Sequence, residues 1–159
     1  MFIMNDILKE LELNIEPADT AAILKAHDEW FSISKPLGSL GELEVLVEKL
    51  AGIFGDEEID IKKRCVLVAC ADNGVVEEGI SQVGNEVTAS VAREICLGKS
   101  NVNVMAAAAG ADVYAIDMGM ASEVNHPGII NCRISSGTAN ISKGPAMTRN
   151  KAIQAIKSG

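Results

Sequence analysis

The sequence predicts an α/β fold, with a helical N-terminal part over residues 1–60. The first strands and helices of a mainly parallel, Rossmann-like sheet follow over residues 61–159. Three observations carry this reading. The first fifty or so residues place apolar side chains at helical spacing. From residue 64 the pattern changes to "RCVLVACA", a continuous apolar run of strand length, as expected for a strand covered on both faces. Downstream, strand-like runs alternate with helix-like ones, the order that builds a parallel sheet with crossover helices.

Taken in order, Ile3, Ile7, Leu8 and Leu11 recur at helical spacing, with Lys9, Glu10 and Glu12 between them. "EPADTAAILKAHDEWF" predicts a second helix, with Pro17 near its start, where a missing N–H costs little. In "SKPLGSLGELEVLVEKLAGIFG", Pro36 and Gly38 break the chain. Ser39 can then cap a third helix, and Glu42, three residues on, completes a capping-box pattern. Leu43, Leu46, Val47 and Leu50 form its apolar stripe, and Gly55 ends it. Gly55 to Arg64, "GDEEIDIKKR", reads as a solvated charged connector.

The first strand runs into "DNGVVEEGIS", and a helix follows from Glu86 to Leu97 with Gly98 as its stop. Ser100 caps "NVNVMAAAAGA", whose successive alanines suit a helix lying close to a sheet. "DVYAIDMGM" and "GIINCRISSG" are the second and third strands, and Thr148 caps a helix from Arg149 to Ile156. Three strands leave an exposed edge, and another helix is only starting where the chain stops. Residues 61–159 are therefore expected to be a partial α/β domain, truncated at its C-terminus.

Composition narrows the function. The net charge is −8, and only 3% of residues are aromatic. Nucleic-acid binding is disfavoured, because neither a basic stripe nor basic-and-aromatic interleaving is present. Cys65, Cys70, Cys96 and Cys132 make no C-x-x-C pair and read as buried reduced thiols. His27 and His126 lack ligand spacing, so no metal is expected, and no cofactor. No apolar run approaches the roughly 20 residues of a membrane span, and "MFIMNDILKELE" meets charge too early for a signal peptide. The default compartment is the cytoplasm.

Ligands of open α/β sheets bind beyond the carboxyl ends of the strands. All three predicted strands end alike, in Asp72-Asn73-Gly74, Asp117-Met118-Gly119 and Ser135-Ser136-Gly137. Together these outline a ligand-lined crest. The dinucleotide fingerprint G-x-G-x-x-G and the Walker A pattern are missing after the first strand, and no Ser-His-Asp or Cys-His set can be assigned. Glu77 and Glu78 are candidate general bases, although neighbouring glutamates in a polar loop are usually solvated. The loop "SSGTANISKGPAMTR" offers only small and hydroxylated side chains at its start, a wall without acid–base groups.

Five blocks now stand in order: "SKPLGSLGELE", "ACADNGVVEEGIS", "NEVTASVA", "NVNVMAAAAGADVYAIDMGM" and "GTANISKGPAMTR". Together they resemble the nicotinate-nucleotide–dimethylbenzimidazole phosphoribosyltransferases from about Ser34 to Gly159. The resemblance implies transfer of ribose phosphate from nicotinate mononucleotide to 5,6-dimethylbenzimidazole or an analogue, giving the α-ribazole phosphate of the cobalamin lower loop. It also implies a homodimer. The leaving pyridinium recovers a neutral ring and needs no acid, whereas the incoming base must lose a proton to one positioned carboxylate. The family's catalytic glutamate lies in a later half, so no catalytic residue is expected here and that carboxylate is expected beyond Gly159.

The same resemblance assigns substrate-binding positions. Ser81 matches a serine near the base. Asp72, Asn73 and Gly74 match a motif that often reads Asp-His-Gly, from which Asn73 departs. Ser90 stands where many members have the glutamine of V-T-x-Q; its shorter side chain is expected to widen base choice. Lys35, Pro36, Gly38 and Ser39 match an N-terminal loop expected near the active-site mouth, and Ser136, Gly137 and Thr138 belong to the strand-end wall. Two other readings remain open: a non-catalytic base- or nucleotide-binding module, and a structural dimerisation domain.

Overall fold

A computed structural model describes residues 9, 10, 12–56 and 58–158. The helix expected from Ile3, Ile7, Leu8 and Leu11 falls mainly outside the described residues. The chain divides into two compact units, residues 1–62 and 63–159.

The first unit contains α1 (Thr20–Ser32) and α2 (Glu42–Phe54). Pro17 lies ahead of α1, and the N-cap is Asp19, whose Oδ1 accepts from the backbone N–H groups of Ala21 (2.8 Å) and Ala22 (3.1 Å). A carboxylate satisfies two orphan donors that proline only avoids adding to. The Ser39–Glu42 capping box is not formed. The turn from Pro36 to Gly41 moves the N-cap to Gly41, which makes Glu44 the third helical residue. Its Oε1 reaches back to the Leu40 N–H (3.1 Å) and to Lys35 Nζ (2.7 Å). Lys35, then the Leu40 N–H, hold this carboxyl below the ordinary glutamate range.

The α2 stripe is also corrected. Leu43 and Leu46 are exposed, and the residues that α1 and α2 bury are the small ones, Ala22, Ala26, Ala51 and Gly52. Small side chains win here because the helices approach closely. A Cβ on Gly52 would stand 2.6 Å from Ile23 Cγ1, and the Gly52 carbonyl accepts from the Asp19 N–H at 2.8 Å. Gly55 ends α2 in the left-handed conformation, as its sequence position predicts.

The second unit runs β1 (Cys65–Ala71), a 3₁₀ turn (Gly74–Glu78), α3 (Glu86–Cys96), α4 (Asn101–Ala108), β2 (Asp112–Gly119), β3 (Ile129–Asn131) and α5 (Arg149–Ser158). The sheet is parallel throughout, in the order β1-β2-β3. Cys65 to Cys70 pair in register with Asp112 to Asp117, and the register slips at Ala71, which meets Gly119. The caps follow the sequence. Ser100 opens α4, with its Oγ 2.6 Å from Asn103 Oδ1, and Thr148 Oγ1 accepts from the Lys151 N–H at 3.4 Å to open α5.

β1 is not covered on both faces. Helices α3 and α4 form the crossover from β1 to β2 and both touch the sheet, α3 on the side that carries Val68 and Cys70. There Cys70, Ala92, Met120 and Val124 form the core, with Val68, Ala89 and Ile129 against it. The other side carries Leu67, Tyr114 and Ile130, all exposed. Helix α5 reaches only its upper end, where Lys151 and Ala155 share a small cavity with Ala71 and Met118. Nor are all the thiols buried: Cys70 is, Cys96 and Cys132 are half-buried, and Cys65 is exposed. Burial, and next Asp117, push the Cys70 thiol up, which keeps it protonated.

Ala92 is fully buried where α3 meets the sheet. Ala92→Leu adds three carbons to a filled contact and is expected to cost about 1–3 kcal/mol. The check is the urea midpoint, which should fall with the slope unchanged. Ala107→Leu, at an exposed position on α4, should leave the midpoint nearly unmoved.

Candidate functional site

The turns after β1 and β2 and the loop after β3, a strand that ends at Asn131 and so falls short of the expected "GIINCRISSG", come together as one hydrogen-bonded crest. The Asp72 N–H donates to the Gly119 carbonyl (3.1 Å), the Gly137 N–H to the same carbonyl (3.0 Å), and the Thr138 N–H to the Asp72 carbonyl (3.0 Å). Gly74 donates its N–H to Thr138 Oγ1 (3.2 Å). Gly74 has no room for a side chain, because a Cβ there would lie 2.7 Å from the backbone atoms of Thr138, Ala139 and Asn140. The third strand's loop therefore rests directly on the first strand's turn.

Two aspartates brace this crest from inside. Asp72 is 2% exposed; its Oδ1 accepts from Thr88 Oγ1 on α3 (2.5 Å), and its Oδ2 from the Ala121 N–H (2.6 Å). Asp117 is 4% exposed and accepts on Oδ1 from the N–H groups of Gly119 and Met120, both at 2.9 Å. Arg133 stands 3.8 Å from Asp117 Oδ2 and 3.5 Å from Glu123, and its Nη2 donates to Ser136 Oγ at 2.9 Å. Both buried carboxylates are thus spent on the protein's own donors.

Beside the crest, between β1, the 3₁₀ turn and α3, lies a cavity of about 450 Å³. Its walls are mostly aliphatic: Val75, Val76 and Ile80 from the turn and its exit, and Val87, Val91 and Ile95 from α3. Asn73, Ser81, Asn85 and Thr88 contribute sparse polar groups, and Asp72 stands in its wall. A second cavity of about 140 Å³ adjoins the crest and is bounded by Asn73, Ser135, Gly137, Thr138, Met147 and Lys151.

Asp72, Asn73 and Ser81, named from sequence, line the larger cavity. Gly74, Ser136, Gly137 and Thr138 belong to the crest, with Gly137 and Thr138 on the smaller cavity. Ser90 is not brought to either: its side chain is exposed and absent from both linings. At 100° per residue, the face made by Val87, Thr88, Val91 and Ile95 is turned roughly 115° away from position 90. Lys35, Pro36, Gly38 and Ser39 form a turn of the helical unit, where Lys35 pairs with Glu44 and lies 5.2 Å from the Trp30 ring. Sequence reasoning missed Thr88 and Asn140. Thr88 carried a signal, since at its position in α3 a hydroxyl falls on the otherwise apolar face. Asn140 did not, as its carboxylate partners lie more than sixty residues away.

Glu77 and Glu78 are not poised as bases. Lys143 Nζ pairs with Glu77 Oε2 at 2.9 Å, and Asn140 Nδ2 donates to Glu78 Oε1 at 2.6 Å. Lys143, then Asn140, hold Glu77 below the ordinary glutamate range; Asn140, then Ser142, do the same for Glu78. Carboxyls whose pKa is lower in the folded chain stabilise it above their unfolded pKa. That contribution is lost as pH falls through the folded value, so these contacts weaken only in acid. Among the described residues no group of three or more His, Cys, Asp or Glu is placed to hold a metal ion.

This arrangement has close counterparts. Residues 15–159 match a phosphoribosyltransferase family. The nicotinate-nucleotide–dimethylbenzimidazole phosphoribosyltransferase of Ruminiclostridium cellulolyticum is 46% identical over 148 residues, 93% of this chain and 41% of that protein. The enzyme of the same name from Clostridium acetobutylicum is 41% identical, over 96% of this chain and 43% of its own length. The crystal structure of the Thermus thermophilus enzyme of that name superposes with a TM-score of 0.82 at 35% identity, covering 88% of this chain and 43% of that one. The chain thus spans about two fifths of the length of the relatives it matches. With a family match over nearly its whole length and a fold that superposes on a solved member, the chain belongs to this phosphoribosyltransferase family.

Proposed function

We propose that the chain supplies the base-binding wall of an enzyme of cobalamin biosynthesis. That enzyme moves ribose phosphate from nicotinate mononucleotide to 5,6-dimethylbenzimidazole or an analogue and releases α-ribazole phosphate. The aliphatic cavity between the 3₁₀ turn and α3 carries the reading. Its size suits a small ligand, and its few polar groups suit a flat, uncharged heterocycle with one or two ring nitrogens. Ser81 and Asn73 are the side chains best placed to orient such a ring. The relatives' shared name supports this choice of substrates.

The chemistry needs a carboxylate to take the base's N–H proton as its other nitrogen attacks C1′, while nicotinate leaves as a neutral ring carrying its carboxylate. Asp72 is the one carboxylate in the cavity wall among the described residues, and both of its oxygens already accept hydrogen bonds. The proton acceptor is therefore assigned to polypeptide outside these 159 residues. A second copy of the chain is the partner proposed for the helical unit, where Leu24, Phe31, Leu46 and Ile53 are all exposed. No helix among the described residues is long and apolar enough to cross a membrane, and the proposed setting is the cytoplasm.

Titration calorimetry with 5,6-dimethylbenzimidazole tests the pocket. The chain should bind it with 1:1 stoichiometry per subunit, and Val87→Asp, which puts a charge into the aliphatic wall, should weaken binding at least about tenfold. Equal affinity in both proteins refutes the assignment of this cavity. Incubation with nicotinate mononucleotide and the base should give no α-ribazole phosphate by chromatography; turnover by the chain alone would show that its own carboxylates suffice. Sedimentation should give a dimer mass at high concentration, and a clean monomer there would remove the second copy.

A further inference from the structure

The turn that walls the cavity is held from behind by a polar clasp. Asn140 is 8% exposed, and its Nδ2 donates to Glu78 Oε1 at 2.6 Å and lies 3.4 Å from Glu77 Oε2. Its Oδ1 accepts from the Ser142 N–H at 3.0 Å, and Ser142 Oγ lies between Asn140 Oδ1 (2.8 Å) and Glu78 Oε1 (2.9 Å). Lys143 closes the outside by pairing with Glu77. Glu77 and Glu78 end the same five-residue turn that brings Val75 and Val76 to the cavity. The start of the turn is tied by the Gly74 N–H bond to Thr138 Oγ1, but its N-cap Asn73 makes no side-chain capping bond, and no residue of the turn is buried.

We propose that Asn140 is a positioning residue for base binding. By gripping Glu78 it holds the 3₁₀ turn against the loop after β3, and so sets the distance between Val75 and Val76 on one wall and Val87 and Val91 on the other. This deepens the functional reading above and rests on it. An amide is required at position 140 because it must donate to a carboxylate with one end and accept from Ser142 with the other. Lys143 cannot replace it, since an exposed ion pair holds little and is screened by salt.

A reversed pair tests the idea. Asn140→Asp sets a carboxylate against Glu78 and breaks the grip; adding Glu78→Gln restores a donor on the opposite partner. Two readouts are taken on the full chain. The first is amide hydrogen exchange at Gly74, Val76, Gly79 and Thr138, with the β2 amides as the reference. The second is affinity for 5,6-dimethylbenzimidazole by calorimetry. Asn140→Asp is expected to speed exchange at the four amides and to weaken base binding, each by about tenfold, with the β2 amides unchanged. The double variant should recover most of both. Unchanged exchange in Asn140→Asp overturns the clasp. Faster exchange with unchanged affinity overturns its role in positioning the base, as does failure of Glu78→Gln to rescue a folded Asn140→Asp chain. If the unaltered chain binds no base, the functional reading fails and base positioning fails with it. The exchange data then separately decide whether Asn140 holds the turn.

Discussion

Much of the second unit depends on one buried carboxylate. Asp72 ends β1, and its two oxygens reach in different directions, to Thr88 on α3 and to the Ala121 N–H just after β2. An aspartate 2% exposed must have its acceptors filled, since an unpaired buried charge costs several kcal/mol. This requirement fixes three elements at once: the end of β1, the rotation of α3 about its axis, and the path of the chain leaving β2. The rotation of α3 in turn decides which of its residues face the cavity. With Thr88 bound to Asp72, Val87 and Val91 line the cavity, and Ser90 does not.

The same constraint shows which parts of the structure were legible in the sequence. β1 and β2, α3, and the stops at Gly55 and Gly98 were readable because apolar runs and glycine punctuation are local signals. The crest was readable because three strand ends carried the same Asp or Ser followed by Gly, and parallel strands bring such ends to one edge. Coverage of β1 was misread, since a continuous apolar run does not say whether a second layer is present. The α2 stripe was misread for a related reason. Leucines dominate a hydrophobic count, yet the close approach of α1 and α2 at Gly52 selects alanine and glycine instead. The Ser39–Glu42 box failed because a two-residue shift in the N-cap, set by the Pro36–Gly41 turn, gives the third helical position to Glu44.

The candidate site was legible in outline and not in detail. Asp72, Asn73 and Ser81 were found as motif positions, whereas their surroundings depend on contacts distant in sequence. Asn140 meets Glu77 and Glu78 across more than sixty residues, and Thr138 meets Gly74 across a similar interval. Ser90 is the opposite case, lining neither of the two cavities. A motif position was legible, but the helix phase that decides where it points is set by the Thr88–Asp72 bond and not by the motif.

The distribution of charge around the cavity follows from these bonds. The chain carries a net charge of −8, and four carboxylates lie at or near the strand ends. Left free, they would surround a ligand with negative potential and favour a cation. Instead Asp72 and Asp117 accept from N–H and O–H groups, while Glu77 and Glu78 are held by Asn140, Ser142 and Lys143. Each carboxylate directs its oxygens into the scaffold, where fixed dipoles, Lys143 beside Glu77 and Arg133 beside Asp117 answer them. The wall left facing the cavity is aliphatic and nearly neutral. A neutral base, the ligand proposed for this cavity, would gain there from apolar burial and one or two oriented hydrogen bonds, without first displacing a counter-ion. The acidity of the chain is therefore used to build the wall, and the wall itself stays uncharged.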